Sequence, residues 1–256
     1  PDWAAFKPQD FRYCLNRSVE VKGMRAIKPL IGIVLAPAAL AAAWATAAML
    51  APALGRFSVT LPLLCGALAC LLFHQGGRGK GLYVTAHELT HALAALFSGI
   101  RVRKISVKKN SGYVLLNSTN AFISLAPYFI PLYTLVIAAA YWLAGRFLDA
   151  APLRPWFLAV AGFTLAFHLL HTADMLTGPV QSDLRKAGGP VFSIPLLLLL
   201  NCLGLAAALK LLFPGLLSMR AYSARVLETQ GEAYAALFTA AAYIANTAKI
   251  YLHEAF

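Results

Sequence analysis

The sequence predicts an all-α membrane protein of about six transmembrane helices, with a small β-hairpin after the third apolar segment. Three observations predict it: the composition, a succession of long apolar runs, and one stretch in which apolar residues alternate with charge. Of 256 residues, 60% are hydrophobic and 12% charged, whereas soluble domains are about half apolar and about a quarter charged. The apolar runs approach the roughly 20 residues that a helix needs to cross a bilayer. In the alternating stretch, Ile100, Val102, Ile105 and Val107 are interleaved with Arg101, Arg103, Lys104 and Lys108, the period-two pattern of a strand.

Taken in order, residues 1–25 are polar, mixed in charge and begin with Pro1 rather than Met. Met24 directly precedes the first apolar run, so residues 1–23 read as upstream or non-native sequence and no function is assigned to them. The first span is Ala26–Leu54, an Ala-rich run punctuated by Pro29, Pro37 and Pro52; it is too long for a signal peptide. The second is Val59–Phe73. The Gly-rich segment from His74 to Gly81 lacks the Gly-Lys-Ser/Thr ending of a phosphate loop and reads as a connector. The third apolar segment, Leu82–Phe97, is short and stops at Gly99. A basic hairpin follows, with strands over Ile100–Lys109 and Tyr113–Leu116 and a turn at Asn110–Gly112. Further spans are Ala121–Leu143, Trp156–Leu176 and Val191–Phe213. Residues 26–213 thus form one transmembrane domain, and residues 214–256 an amphipathic helix or a weak extra span.

The net charge of +12 comes from 22 Lys and Arg against 10 Asp and Glu. The basic residues sit mainly between apolar runs, where they anchor loops at lipid headgroups. Membrane topology accounts for the charge, and no nucleic-acid partner is expected. Cys65, Cys70 and Cys202 lie within apolar runs and show neither zinc-ligand pairing nor a secreted disulfide pattern. Acidic residues are scarce: between Val21 and Leu227 there are only Glu88, Asp149, Asp174 and Asp183. A carboxylate retained near a bilayer core needs a partner or a task.

Glu88 belongs to His87-Glu88-Leu89-Thr90-His91. On a helix, residues four apart share a face, so both imidazoles can bind one zinc ion. Zinc lowers the pKa of a water it holds towards about 7, which supplies a nucleophile for a peptide carbonyl. Glu88, beside the first ligand, is placed to act as general base. A catalytic zinc has three protein ligands and one open position, so a third ligand is required. Candidates are His168, His171 and Asp174, which recur every three residues, and Asp183, which follows a helix break at Gly178-Pro179. Asp183 is favoured over Asp174, although it also fits an exposed helix N-cap. His168, His171 and Gln181 suit the lining of a polar cavity that admits water. A di-iron centre needs more His or carboxylate ligands than six His offer, since His74 and His253 look peripheral.

With these residues in view, the chain resembles the site-2 protease family of intramembrane zinc metalloproteases, in the form of a short bacterial-type member without a PDZ domain. The resemblance spans about residues 60–210 and is strongest at His87–His91. The basic hairpin, the Pro-containing stretch Phe122–Pro131, and Phe167-His168 through Gln181-Ser182-Asp183-Leu184 are also similar to the family. The resemblance implies that His87 and His91 bind zinc, that Glu88 is the base and that a distal Asp completes the site. It implies cleavage of a membrane-embedded substrate helix, in a multi-pass protein of the cell membrane, the bacterial inner membrane. The family's usual Leu-Asp-Gly is absent: Asp174 precedes Met175, Asp183 precedes Leu184, and Thr90 replaces a frequent Gly. The rival reading is a catalytically inactive metal- or client-binding relative.

Overall fold

The structure, a computed structural model, describes residues 22–108, 111–215 and 217–254. Most of the polar N-terminal segment, Lys109 and Asn110 of the expected hairpin turn, Leu216 in the tail and the side chain of His253 lie outside the described residues. The elements are α1 (Lys22–Gly55), α2 (Phe57–Gln75), α3 (Lys80–Phe97), β1 (Val102–Val107), β2 (Gly112–Leu116), α4 (Ala121–Phe129), α5 (Leu132–Ala144), α6 (Arg154–Thr177), α7 (Ser182–Ala187), α8 (Pro190–Leu212) and α9 (Met219–Glu254). Three segments are long and apolar enough to cross a membrane: Ile27–Ala51, Ala151–Thr177 and Pro190–Leu212. The bent pairs α2–α3 and α4–α5 raise the number to five if each is one span.

The expected unbroken span over Ala121–Leu143 is instead two helices bent by 69°. Pro131 explains the break, since a proline lacks the amide hydrogen that would continue α4 and disfavours the helical region at Ile130. Ile130 is extended, at φ −97° and ψ 108°. The α2–α3 pair turns by 110° at the Gly-rich connector. Gly79 there has φ +92°, and a β-carbon on it would lie 2.8 Å from the rings of Phe73 and Phe167, so only glycine fits.

Two close helix pairs organise the bundle. On α2 and α6, Gly66 meets the Ala159 carbonyl and Gly162 meets the Leu63 carbonyl, the small-residue contact that lets membrane helices approach. Farther along the same pair, His74 meets Asp174, so the two helices run parallel. On α1 and α8, Gly32 abuts the Val191 backbone, and Ala45 and Met49 share a core with Ala206 and Leu209; these helices too are parallel. Helix α9 returns along α1 in the opposite sense, with Tyr222 meeting Thr46 and the Tyr234 hydroxyl donating to the Val34 carbonyl. One end of the bundle therefore collects the starts of α1 and α8 and the ends of α2 and α6. The other collects the starts of α2, α6 and α9.

The hairpin forms as expected, antiparallel, with Val107 opposite Gly112 and Val102 opposite Leu116. Gly112, Val114 and Leu116 are buried while β1 is mostly exposed. Val114 and Leu116 pack with Ala92 and Ala95 of α3 and Ile123 of α4, which lays β2 along the metal-motif helix.

Candidate metal centre

Helix α3 carries His87, Glu88 and His91, all buried. The chain leaves α6 at Thr177, turns at Gly178 and Pro179, and re-enters a short helix at Ser182. This break directs Asp183 inward: it is 4% exposed, not the solvent-facing cap that its position also allowed. His87 Nε2, His91 Nε2 and Asp183 Oδ2 form a triangle with edges of 3.1, 3.5 and 3.7 Å. Tetrahedral zinc with bonds of about 2.0–2.2 Å has donor–donor edges of about 3.3–3.6 Å. The donor set and its spacing fit that ion. Among the described residues, these three form the one group of His, Cys, Asp or Glu whose donor atoms converge closely enough to hold a metal.

The surroundings orient the donors. His91 Nδ1 lies 2.7 Å from the Ile123 carbonyl; a carbonyl only accepts, so Nδ1 carries the proton and Nε2 presents its lone pair. That carbonyl is available because its helical donor would be the amide of residue 127, which is proline. The Tyr83 hydroxyl lies 3.2 Å from His87 Nδ1, and the Tyr128 hydroxyl donates to Asp183 Oδ2 at 3.2 Å. Two imidazole lone pairs and an anionic oxygen crowded together are relieved by a cation.

Glu88 is fully buried, and neither carboxylate oxygen has a hydrogen-bond partner among the described residues. Buried polar atoms are normally bonded, and this carboxylate stands beside the three converging donors without such a bond. Gly112 at the start of β2 faces it: a β-carbon there would lie 2.5 Å from Glu88 Cγ and 2.9 Å from Oε1. Lys186, one turn beyond Asp183, is electrostatically coupled to Asp183 and Glu88, and burial lowers its ammonium below the ordinary lysine value.

Asp174 belongs elsewhere. Its carboxylate lies 3.2 Å from His74 Nε2, which also removes His74 from the periphery. His171 stands edge-on to His74 and stacks on Tyr83, ring centroids 5.0 Å apart in both cases. His171 therefore backs the ring that touches His87 and does not join the converging donors of His87, His91 and Asp183. His168 Nε2 lies 3.2 Å from Asn201 Oδ1, and Asn201 Nδ2 donates to the carbonyls of Tyr128 and Leu197. Gln181 is buried and donates to the Pro179 carbonyl. Of the three residues expected to line a polar cavity, only His168 borders the one of about 20 Å³ beside His87, bounded also by Ala86, Thr90, Ile130 and Tyr133.

Tyr83, Tyr128, Lys186, Asn201 and Gly112 were not evident as site residues from sequence. Tyr83 alone left a signal, its i, i+4 spacing to His87. No protein-family model, curated protein or solved structure matches the chain. Fold and site together define a helical protein with bilayer-length apolar helices and a buried two-histidine, one-carboxylate group that can hold a metal ion.

Proposed function

We propose that the protein is a zinc-dependent intramembrane endopeptidase of the site-2 protease type, acting in the cell membrane on a membrane-embedded substrate helix. The observation that carries this reading is the bare, buried Glu88 carboxylate beside the converging His87, His91 and Asp183 donors. A purely structural metal site closes its coordination with a fourth protein ligand and has no use for an unpartnered carboxylate. The reading counts α2 and α3 as separate crossings, which gives about six.

Bound zinc supplies Lewis acidity and a water nucleophile at neutral pH. His87, His91 and Asp183 would hold the ion, and Glu88 is the residue that would take a proton from an attacking water and give it to the leaving nitrogen. His91 and Asp183 are held for their part by Ile123 and Tyr128. The cavity beside His87 exceeds the roughly 10–15 Å³ that one water needs. A substrate helix must unwind locally, because in lipid its carbonyls are otherwise committed to its own hydrogen bonds.

The test is zinc content and cleavage of a transmembrane peptide library by the purified full chain, with His87→Ala, Glu88→Gln, Asp174→Ala and Asp183→Ala. We expect one zinc per chain, lost with His87→Ala and Asp183→Ala and retained with Glu88→Gln and Asp174→Ala, and cleavage abolished by Glu88→Gln. Folded wild type that takes up no zinc would sink the reading. Zinc binding without Glu88-dependent cleavage would leave an inactive metal-binding relative.

A further inference from the structure

Helix α7 carries Asp183 but is only six residues long, Ser182–Ala187, and helices that short are not stable by themselves. Its position is therefore set by what grips its ends. The Gln181 side chain does not cap its start. Near its other end the Leu184 carbonyl accepts the Gly189 amide at 2.8 Å and the Ser193 hydroxyl at 3.3 Å, both from the beginning of α8. The Ala187 carbonyl is met from much farther along the chain: Lys28 Nζ of α1 donates to it at 2.8 Å.

Lys28 lies at the start of the Ile27–Ala51 segment, where a lysine ordinarily snorkels outward to headgroups and water. This one is half-buried and turned inward. Its stem is confined as well as its head. A β-carbon on Gly188, whose φ is +141°, would lie 2.5 Å from Lys28 Cδ and 3.2 Å from Lys28 Cβ, so the glycine just after α7 makes room for the stem. The ammonium also lies 5.8 Å from the centroid of the Phe192 ring. A cation at the last carbonyls of a helix satisfies acceptors that have no donor within the helix, at the negative end of its dipole. Ala187 stands one turn beyond Asp183 on the same face of α7, and both are buried. Leu184 and Ala187 pack on Leu125 and Tyr128 of α4, and Tyr128 donates to Asp183. Displacing the end of α7 therefore moves Asp183 relative to Tyr128 and to the two histidines of α3.

We infer that Lys28 is a positioning residue for the metal centre: from α1 it holds the end of α7 and thereby sets Asp183 against His87 and His91. The inference rests on the reading of those three residues as a metal group, and not on proteolysis. It ties α1, which supplies none of the three donors, to the centre.

The experiment is titration of the metal-free full chain in detergent with Co²⁺, whose visible absorption reports the geometry of its donors, alongside thermal unfolding without metal. We expect Lys28→Met to bind Co²⁺ about tenfold more weakly, the lower end for losing a support behind a ligand, with absorption bands altered towards those of Asp183→Ala. Lys28→Gln, polar but too short to reach Ala187, should do the same and stands in if Lys28→Met does not fold. Lys28→Arg, which keeps a donor for that carbonyl, should recover the wild-type bands. Thr46→Val is the control. It loses the contact to the Tyr222 hydroxyl about 27 Å along α1 from Lys28, so it should lower the unfolding midpoint and leave Co²⁺ affinity and bands unchanged. Wild-type affinity and bands in folded Lys28→Met or Lys28→Gln overturn the inference. So does an affinity that falls in the Lys28 variants and Thr46→Val alike, in step with stability. Folded wild type that binds no Co²⁺ overturns the reading of the metal group itself, and this inference with it.

Discussion

His91 Nδ1 donates to the carbonyl of Ile123 at 2.7 Å, and the acceptor is available because Pro127 stands four residues further on. A proline in α4 thus frees the oxygen that fixes the tautomer of a metal-ligand candidate on α3. Pro127→Ala should restore a helical donor to Ile123 and set it against His91. Loss of an outer hydrogen bond to a ligating histidine typically costs about 10–100-fold in metal affinity, and the lower end is expected here because the ring remains packed. Chelator competition would read the effect, with thermal stability unchanged or raised. Unaltered zinc affinity would mean that Ile123 does not orient His91.

How far the sequence reached follows from which constraints are local. His87, Glu88 and His91 were legible because helical periodicity alone puts the two imidazoles on one face. Asp183 was legible through Gly178 and Pro179, whose conformations break α6 and redirect the chain. Asp174, the rival, is separated by what no spacing reveals: His74, a hundred residues earlier, meets it across the parallel α2–α6 contact. Tyr128 and Asn201 stayed hidden for the same reason. The α4–α5 bend had a local cause in Pro131, but a continuous apolar run obscured it.

Gly112 contacts the catalytic candidate with nothing but its backbone. Gly112→Ala would set a methyl 2.5 Å from Glu88 Cγ, so the carboxylate must move while His87, His91 and Asp183 stay in place. We expect bound zinc at the wild-type level and peptide cleavage lower by about 100-fold, the scale of a 1 Å misplacement at a reacting group. Zinc and cleavage falling together would instead show that β2 supports the whole centre.

Tyr128 and Tyr83 hold the other two donors. Tyr128→Phe removes the hydroxyl that donates to Asp183 Oδ2 but keeps the ring edge-on to His87. Tyr83→Phe removes the hydroxyl at His87 Nδ1 and keeps the stack on His171. Each should weaken zinc by about tenfold. Because both act on one ion, the double variant should depart from additivity, and a double-mutant cycle on zinc affinity would measure this. Strict additivity, with each loss matched by a loss of thermal stability, would assign the tyrosines to packing alone.

The α2–α6 contact carries a prediction about the scaffold. Gly162 and Gly66 each face a backbone carbonyl, of Leu63 and Ala159 respectively, and a carbonyl on a packed helix cannot swing aside as a side chain can. Gly162→Ala or Gly66→Ala must therefore separate the helices, at a cost of about 1–3 kcal/mol each by the usual scale of overpacking. The lower midpoint should appear in thermal unfolding of the detergent-solubilised chain. Once the first substitution has parted the helices, the second has less to displace, so the pair should cost less than the two taken separately. The parting also pulls His74 from Asp174 and loosens His171 behind Tyr83, so zinc affinity should weaken modestly even below the unfolding midpoint. A destabilised variant with wild-type zinc affinity would show that the metal group is held by α3, α4 and α7 without help from α2 and α6.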